Sequence, residues 1–201
     1  MDREKITYKN GDVYEGDVVN GNPHGNGKLT IVLKDILYNQ TIIVYEGDFD
    51  NGKYHGYGKL TSDFGNSGKT IYEGSFNNDE YHGKGKIEYN NGTIYEGDFA
   101  NGQFHGIGKL IEAIHKFTYE GEFLNGKRHG IGKQINDDST FEGEFVNDLR
   151  HKGKCTYADG KVEDGYWKGY VFYGDEIPPE DKKYEPISEE EANFLFLRGG
   201  S

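Results

Sequence analysis

Six histidines stand at a fixed distance behind an aromatic residue, and they are the first candidates for chemistry. His24, His55, His82, His105, His129 and His151 follow Tyr14, Tyr45, Tyr72, Tyr95, Tyr119 and Phe141 by ten positions each. Regularly spaced imidazoles suggest a metal site, but the geometry argues against it. If each histidine belongs to its own hairpin, neighbouring copies lie two strands apart, roughly 9–10 Å. Zinc ligands must all come within about 2.0–2.3 Å of one ion. A role at a turn entry or in backbone hydrogen bonding is expected instead, with no metal and no cofactor. The carboxylates beside each aromatic, Glu15, Glu46, Glu73, Glu96, Glu120 and Glu142, resemble catalytic pairs only at first sight. A copy in every unit fits a structural part, each facing Lys28, Lys59, Lys86, Lys109 or Lys133 across strands. Gly65-Asn66-Ser67-Gly68-Lys69-Thr70 looks like a phosphate-binding loop. That motif needs glycine where Asp63 stands and a helix afterwards, whereas Tyr72-Glu73-Gly74 opens a strand. No nucleophile–base pair stands out, and the chain is expected not to be an enzyme.

Composition narrows the partners. The 201 residues carry a net charge of -12, and only 33% of them are hydrophobic. Aromatics reach 14%, and there are 31 glycines, which together suit a thin β structure better than a disordered chain. The stretch from Asp175 to Glu191 holds eight acids against Lys182 and Lys183, half of the net charge. Nucleic acid is excluded as a partner by this balance, and an anionic membrane is disfavoured. Cys155 is the only cysteine, so no internal disulfide forms. The charged start Met1-Asp2-Arg3-Glu4-Lys5 has no apolar signal region, and a cytoplasmic setting is expected.

The elements that carry these residues are short and repeated. Tyr-Glu-Gly begins at positions 14, 45, 72, 95 and 119, with Phe141-Glu142-Gly143 a sixth copy and Glu163-Asp164-Gly165 a degenerate seventh. The sixth histidine reads His151-Lys152-Gly153, so that unit has lost His-Gly-x-Gly. Length varies only between His-Gly-x-Gly and the next aromatic, so insertions belong to one class of connection. Each unit reads as a hairpin. Tyr95, Gly97 and Phe99 share one face, Asn101-Gly102 turns the chain, and Gly106, Gly108 and Leu110 line one face of the return strand. Rings packed over glycine strips explain the strand glycines. Ile31 to Val44 holds the longest apolar insertion, read as longer arms that either pack on each other or offer a contact surface.

Tyr-x-Gly-x-Phe, Asn-Gly and His-Gly-x-Gly, recurring about every 23 residues, resemble the MORN (membrane occupation and recognition nexus) repeat family over roughly residues 6–173. The fold this implies is all-β: an elongated single-layer antiparallel sheet of stacked hairpins with a short C-terminal α-helix. Residues 1–173 form the array of about seven hairpins, or roughly fourteen strands. Residues 174–187 form an acidic, proline-containing connector. Ser188 caps a helix over 188–198, with Glu191 reaching back. The family's roles imply scaffolding, cytoskeletal or ciliary assembly, or tethering at membranes. The chain departs from the family pattern in preferring Phe to Trp and in its last two units.

The favoured expectation is a non-catalytic scaffold that docks a peptide or partner domain along a trough. Tyr54, Tyr57, Tyr81 and Phe104 would line it, with Trp167, Tyr170, Phe172 and Leu195 at the C-terminal end. End repeats offer a homodimer contact. The second expectation is a phosphoinositide or membrane-surface adaptor using Lys127, Arg128, Arg150, Lys152 and Lys154.

Overall fold

The computed structural model describes residues 2–33 and 40–178. The strands are β1 (Asp2–Thr7), β2 (Val13–Val19), β3 (Asn22–Leu33), β4 (Thr41–Asp50), β5 (Lys53–Asp63), β6 (Lys69–Asn77), β7 (Glu80–Glu88) and β8 (Thr93–Ala100). They continue as β9 (Gln103–Glu112), β10 (Phe117–Leu124), β11 (Lys127–Ile135), β12 (Ser139–Val146), β13 (Leu149–Tyr157), β14 (Val162–Lys168) and β15 (Val171–Gly174). All fifteen form one open antiparallel sheet in chain order. Fourteen steps of about 4.8 Å make it roughly 65–70 Å across. The strand beyond the expected fourteen is β1, which carries no Tyr-Glu-Gly mark and sets Ile6 opposite Tyr14. The helix expected over 188–198, and Leu195 with it, lies outside the described residues. Among those described, the only helical piece is one 3-10 turn, Gly65–Ser67.

The sheet has a core on one face only, the ring face. Tyr14, Tyr45, Tyr72, Tyr95, Tyr119 and Phe141 are all fully buried there. Each tyrosine ring lies over the second glycine of His-Gly-x-Gly on the next strand, and Phe141 lies over Gly153, the glycine of the unit that has lost that pattern. A Cβ at Gly108 would overlap the Tyr95 ring, and one at Gly58 the Tyr45 ring. That glycine faces the glycine of Tyr-Glu-Gly in the register, as Gly97 faces Gly108. The backbones approach so closely here that neither glycine has room for a methyl group. The rings interlock along the sheet. Tyr95 stacks on Phe104 at 3.7 Å and meets Phe99 and Phe123 edge-on, each at 5.1 Å. Tyr72 repeats the pattern with Tyr81, Phe76 and Phe99. Edge-to-face pairs contribute about 0.5–1.5 kcal/mol each beyond their buried area.

Hydrogen bonds fix the ends of each unit. The Tyr95 hydroxyl donates to the Asp98 carbonyl at 2.8 Å, and the equivalent bonds run from Tyr14, Tyr45, Tyr72 and Tyr119. Asn101 and Gly102 take φ 50° and 74°, the two positive values that a tight hairpin turn requires. The turn also bonds sideways: Gly102 N–H donates to the Tyr81 carbonyl of the preceding hairpin at 3.0 Å. Where aspartate replaces the turn glycine, its carboxylate adds a bond, as from Tyr54 N–H to Asp79 at 2.8 Å. The return strand is less regular than its sequence suggests. A bulge follows Gly97, and Gly106 takes φ 52° within it, which interrupts the alternation expected through Gly106. The Asp98 carboxylate pins this bulge by accepting from Ile107 N–H at 2.9 Å. Asp17, Asp48 and Glu122 do the same in their units.

Insertions fall where expected, in the connections that precede each Tyr-bearing strand. In the longest one the apolar arms pair with each other, Ile31 with Ile43 and Val32 with Ile42. Residues 34–39 at its tip lie outside the described set. The loop that resembles a phosphate site closes the β5–β6 hairpin, with Lys69 bound to Asp63 at 2.9 Å, and leads into a strand.

Two outcomes follow from the ring seats. Gly108→Ala should cost about 3 kcal/mol by urea unfolding, because the methyl group has no space. Gly102→Ala, in open space at positive φ, should cost about 1 kcal/mol. The buried tyrosines also set an alkaline limit. Burial pushes the Tyr45, Tyr72, Tyr95 and Tyr119 hydroxyls far above their ordinary pKa, and burial with Asp79 nearby pushes Tyr54 up to about 12. The folded state therefore favours the neutral phenol. Its contribution is complete below about pH 10 and is lost as the pH rises through the folded-state values. Circular dichroism across pH 9–13 should show unfolding above pH 10 together with release of tyrosinate absorbance. A tyrosine titration completed near pH 10 with the sheet intact would contradict this.

Candidate functional site

The register that pairs glycine with glycine also builds the opposite face. One step from each glycine pair stands a glutamate opposite a lysine. The row runs Lys5, Glu15, Lys28, Glu46, Lys59, Glu73 and onward in alternation to Lys154 and Asp164. Contacts along it include Lys5–Glu15 and Lys133–Glu142 at 2.6 Å and Lys28–Glu46 at 2.7 Å. The hydrogen bond from Lys5 holds the Glu15 carboxyl below its usual range, and Lys133 does the same for Glu142. These glutamates are therefore matched across strands as expected. Exposed pairs of this kind contribute little individually, and they leave the row electrically neutral along its length.

Beside the row runs a shallow groove floored by glycine backbone. In its middle stretch Gly74, Gly85, Gly97 and Gly108 form the floor. Lys86, Glu96 and Lys109 make one wall, and Tyr57, Lys84 and Ile107 make the other, around about 600 Å³. A second stretch of about 500 Å³ shares Tyr57 and continues past Asn26 to Arg3. The outer wall consists of the variable residue of each His-Gly-x-Gly. Its large members face solvent: Tyr57 is 59% exposed, Ile107 49% and Ile131 55%. The Tyr57 hydroxyl donates to Glu73 at 3.1 Å across the groove.

The candidate residues divide between the two faces. Tyr54, Tyr81 and Phe104 lie on the ring face, stacked on Tyr45, Tyr72 and Tyr95 within the core. Tyr57 alone of the four aromatics is in the groove. Trp167 is buried at the end of the ring face, its Nε1 donating to the Gly153 carbonyl at 3.0 Å, and Phe172 packs on it. Tyr170 is exposed on the last turn. The five cations are not brought together. Arg128 and Arg150 tuck against the buried rings. Lys152 lies over Tyr166 on the other face, and Lys154 belongs to the charge row. Lys127 stands exposed beside a turn. Ile107 and Ile131 were not singled out by sequence. The available signal was a varying residue held between two fixed glycines.

The histidines take part through their backbone, with the His55 carbonyl accepting from the Tyr45 hydroxyl at 3.2 Å and that of His105 from Tyr95 at 3.3 Å. The His24 ring meets Asp50 at 3.3 Å. Among the described residues, no three His, Cys, Asp or Glu side chains are grouped to hold a metal ion.

The alternating row gives a further expected outcome. Lys109→Glu sets three carboxylates side by side with Glu96 and Glu120. The thermal midpoint should fall at low salt and recover in part at high salt, as like charges opposite one another destabilise a sheet and salt screens them. A midpoint that does not respond to salt would show that the row has no electrostatic role.

Comparison with known families matches the MORN repeat to residues 14–32, 45–65, 72–94, 95–111, 119–140 and 141–162. No curated protein matches the chain. The six matched segments begin on the six ring-bearing aromatics and cover more than half of the sequence, while β1 and β15 fall outside them. The chain belongs to the MORN repeat family.

Proposed function

We propose that this array is a non-catalytic interaction scaffold that docks a peptide or partner domain in the groove of the charged face. The observation that carries the reading is the exposure of Tyr57 and Ile107 along a glycine-floored groove, with exposed Ile131 at the equivalent position of the next unit, in a chain poor in aliphatic residues. Large side chains on a rigid, neutral wall suit recognition of a ligand that brings apolar anchors and few charges. Wall positions recur every second strand, about 9–10 Å apart. An extended ligand lying across the strands covers that distance in three residues. The carboxylates of the groove alternate with lysines and are not arranged as an acid–base pair, which supports a binding role. The adaptor reading for anionic lipid is weaker, because the cations it needs are divided between two faces, with Arg150 buried and Arg128 half-buried.

A cytoplasmic, cytoskeletal or ciliary setting and the expected C-terminal helix remain parts of this proposal. Selection of displayed peptides on the intact array should yield binders that lose affinity about tenfold or more with Ile107→Glu plus Ile131→Glu, while the thermal midpoint stays near that of the parent. Binding unchanged by these substitutions would overturn the groove assignment. Flotation with anionic vesicles tests the other reading, and recovery of the array with them would favour it.

A further inference from the structure

Two arginines occupy the place that Tyr54, Tyr81 and Phe104 fill in the middle of the array, and they differ in what they bond. Every guanidinium nitrogen of Arg128 has a partner. Its Nε donates to Asp148 Oδ1 at 3.2 Å, its Nη1 to Gln134 Oε1 at 3.1 Å, and its Nη2 to the Asp148 carbonyl at 2.6 Å. Arg150 sits one unit further on in the same frame. There the turn residue equivalent to Asp148 is Gly169, whose N–H donates to the Arg150 carbonyl just as Asp148 N–H donates to that of Arg128. Gln134 is replaced by Cys155, and Arg150 Nη1 reaches only its Sγ, at 3.6 Å. Nε and Nη2, the two nitrogens that face Asp148 in Arg128, are buried in Arg150 without a hydrogen-bond partner.

Arg150 is only 5% exposed. Its guanidinium lies 4.9 Å from the Phe141 ring, 5.1 Å from Tyr170 and 5.7 Å from Trp167. Aromatic faces attract a cation, but they do not replace acceptors for two N–H groups. Guanidinium does not lose its proton in proteins, so the mismatch is not relieved by neutralisation. A cavity of about 200 Å³ adjoins it, lined by Leu149, Arg150, His151, Trp167 and Lys168 among others. The cover is light: Tyr170 is 73% exposed and stands on the short turn between β14 and β15.

We propose that Arg150 is a carboxylate receptor at the end of the array, and that its occupant is the acidic segment Glu180–Glu191 of the same chain. Arg128 with Asp148 supplies the template for the bond. The path of the chain supplies the occupant. β15 passes beside the site, since Phe172 packs on Trp167 at 4.9 Å, and the chain is still buried at Pro178. The six residues from Tyr173 to Pro178 span at most about 20 Å. Glu180, Asp181, Glu185, Glu189, Glu190 and Glu191 follow, against Lys182 and Lys183. A segment tethered this closely acts at an effective concentration on the order of millimolar. The inference is independent of the groove, which lies on the opposite face.

Trp167 is the only tryptophan, so its emission reports on this site alone. The full chain carrying Glu180→Gln, Asp181→Asn, Glu185→Gln, Glu189→Gln, Glu190→Gln and Glu191→Gln should shift that emission. A synthetic peptide of residues 179–191 added to this variant should restore it saturably, with affinity falling as salt rises. Arg150→Met keeps a flexible apolar stem among the rings and removes the donors. Adding it to the neutralised chain should weaken the peptide about tenfold or more. If that variant does not fold, Arg150→Lys keeps the charge, lacks the fork, and should weaken the peptide as well. Unchanged emission on neutralising the acids overturns the proposal. So does a peptide response that survives loss of Arg150. An unrelated acidic peptide of equal charge that binds as tightly would overturn the assignment of the chain's own segment and point to a partner's carboxylate.

Discussion

A tyrosine ring laid across a glycine of the neighbouring strand is the contact on which the rest of this array depends. A single-layer sheet has no second layer to cover its apolar side, and an isolated hairpin is marginal in water. The ring provides the cover itself. It can lie flat only where the strand beneath has no side chain, which makes the second glycine of His-Gly-x-Gly obligatory, and its hydroxyl must find an acceptor, which the carbonyl three residues on provides. The phenylalanine of its own strand, that of the next unit and the residue before the histidine then enclose it. Each hairpin thus completes the core of its predecessor, and stability propagates from neighbour to neighbour as in other solenoids.

The same constraint decides what the other face looks like. Glycine facing glycine fixes the register, and a slip of one residue would move every ring to the wrong side. With the register set, the residue after each tyrosine must stand opposite the residue after the second glycine, and these are Glu and Lys. The ring face is spent on packing, and the charge row is spent on itself. The position between the two glycines is under neither demand. It holds Asn26, Tyr57, Lys84, Ile107 and Ile131 in successive units, and this is where the array is free to differ for the sake of a ligand.

Much of this was legible in the residues. Asn-Gly turns, rings over glycine and Glu–Lys pairing across strands all follow from alternation and turn chemistry. What sequence spacing could not give was which of the two faces is the core and which the groove. Tyr54 and Tyr57 stand three apart, so strict alternation already separates them, yet both read as aromatic trough residues because nothing in one dimension marks the stacking partner Tyr45. Arg128 and Arg150 read as part of a basic patch because charge is visible in sequence and burial under rings is not. β1 bears no mark in the sequence for a different reason. Among the described strands it covers no preceding ring; it sets Ile6 against Tyr14 and carries none of the repeat's marks.

That first strand also bears on how two such arrays could meet. Among the described residues β1 is an edge of the sheet, and sheet edges are the usual route to sheet-to-sheet association. Asp2 and Glu4 lie on the ring face, opposite Val18 and Gly16, while Arg3 and Lys5 lie on the charged face, opposite Asp17 and Glu15. Two copies joined edge to edge by a two-fold axis run antiparallel and keep like face with like face. Acid then meets acid on one side, and base meets base on the other. Opposed like charges disfavour the pairing. The arrangement that ties β1 into the charge row of its own sheet therefore also guards that edge against a second copy of itself. Among the described residues, the other edge of the sheet is β15, in the aromatic last unit.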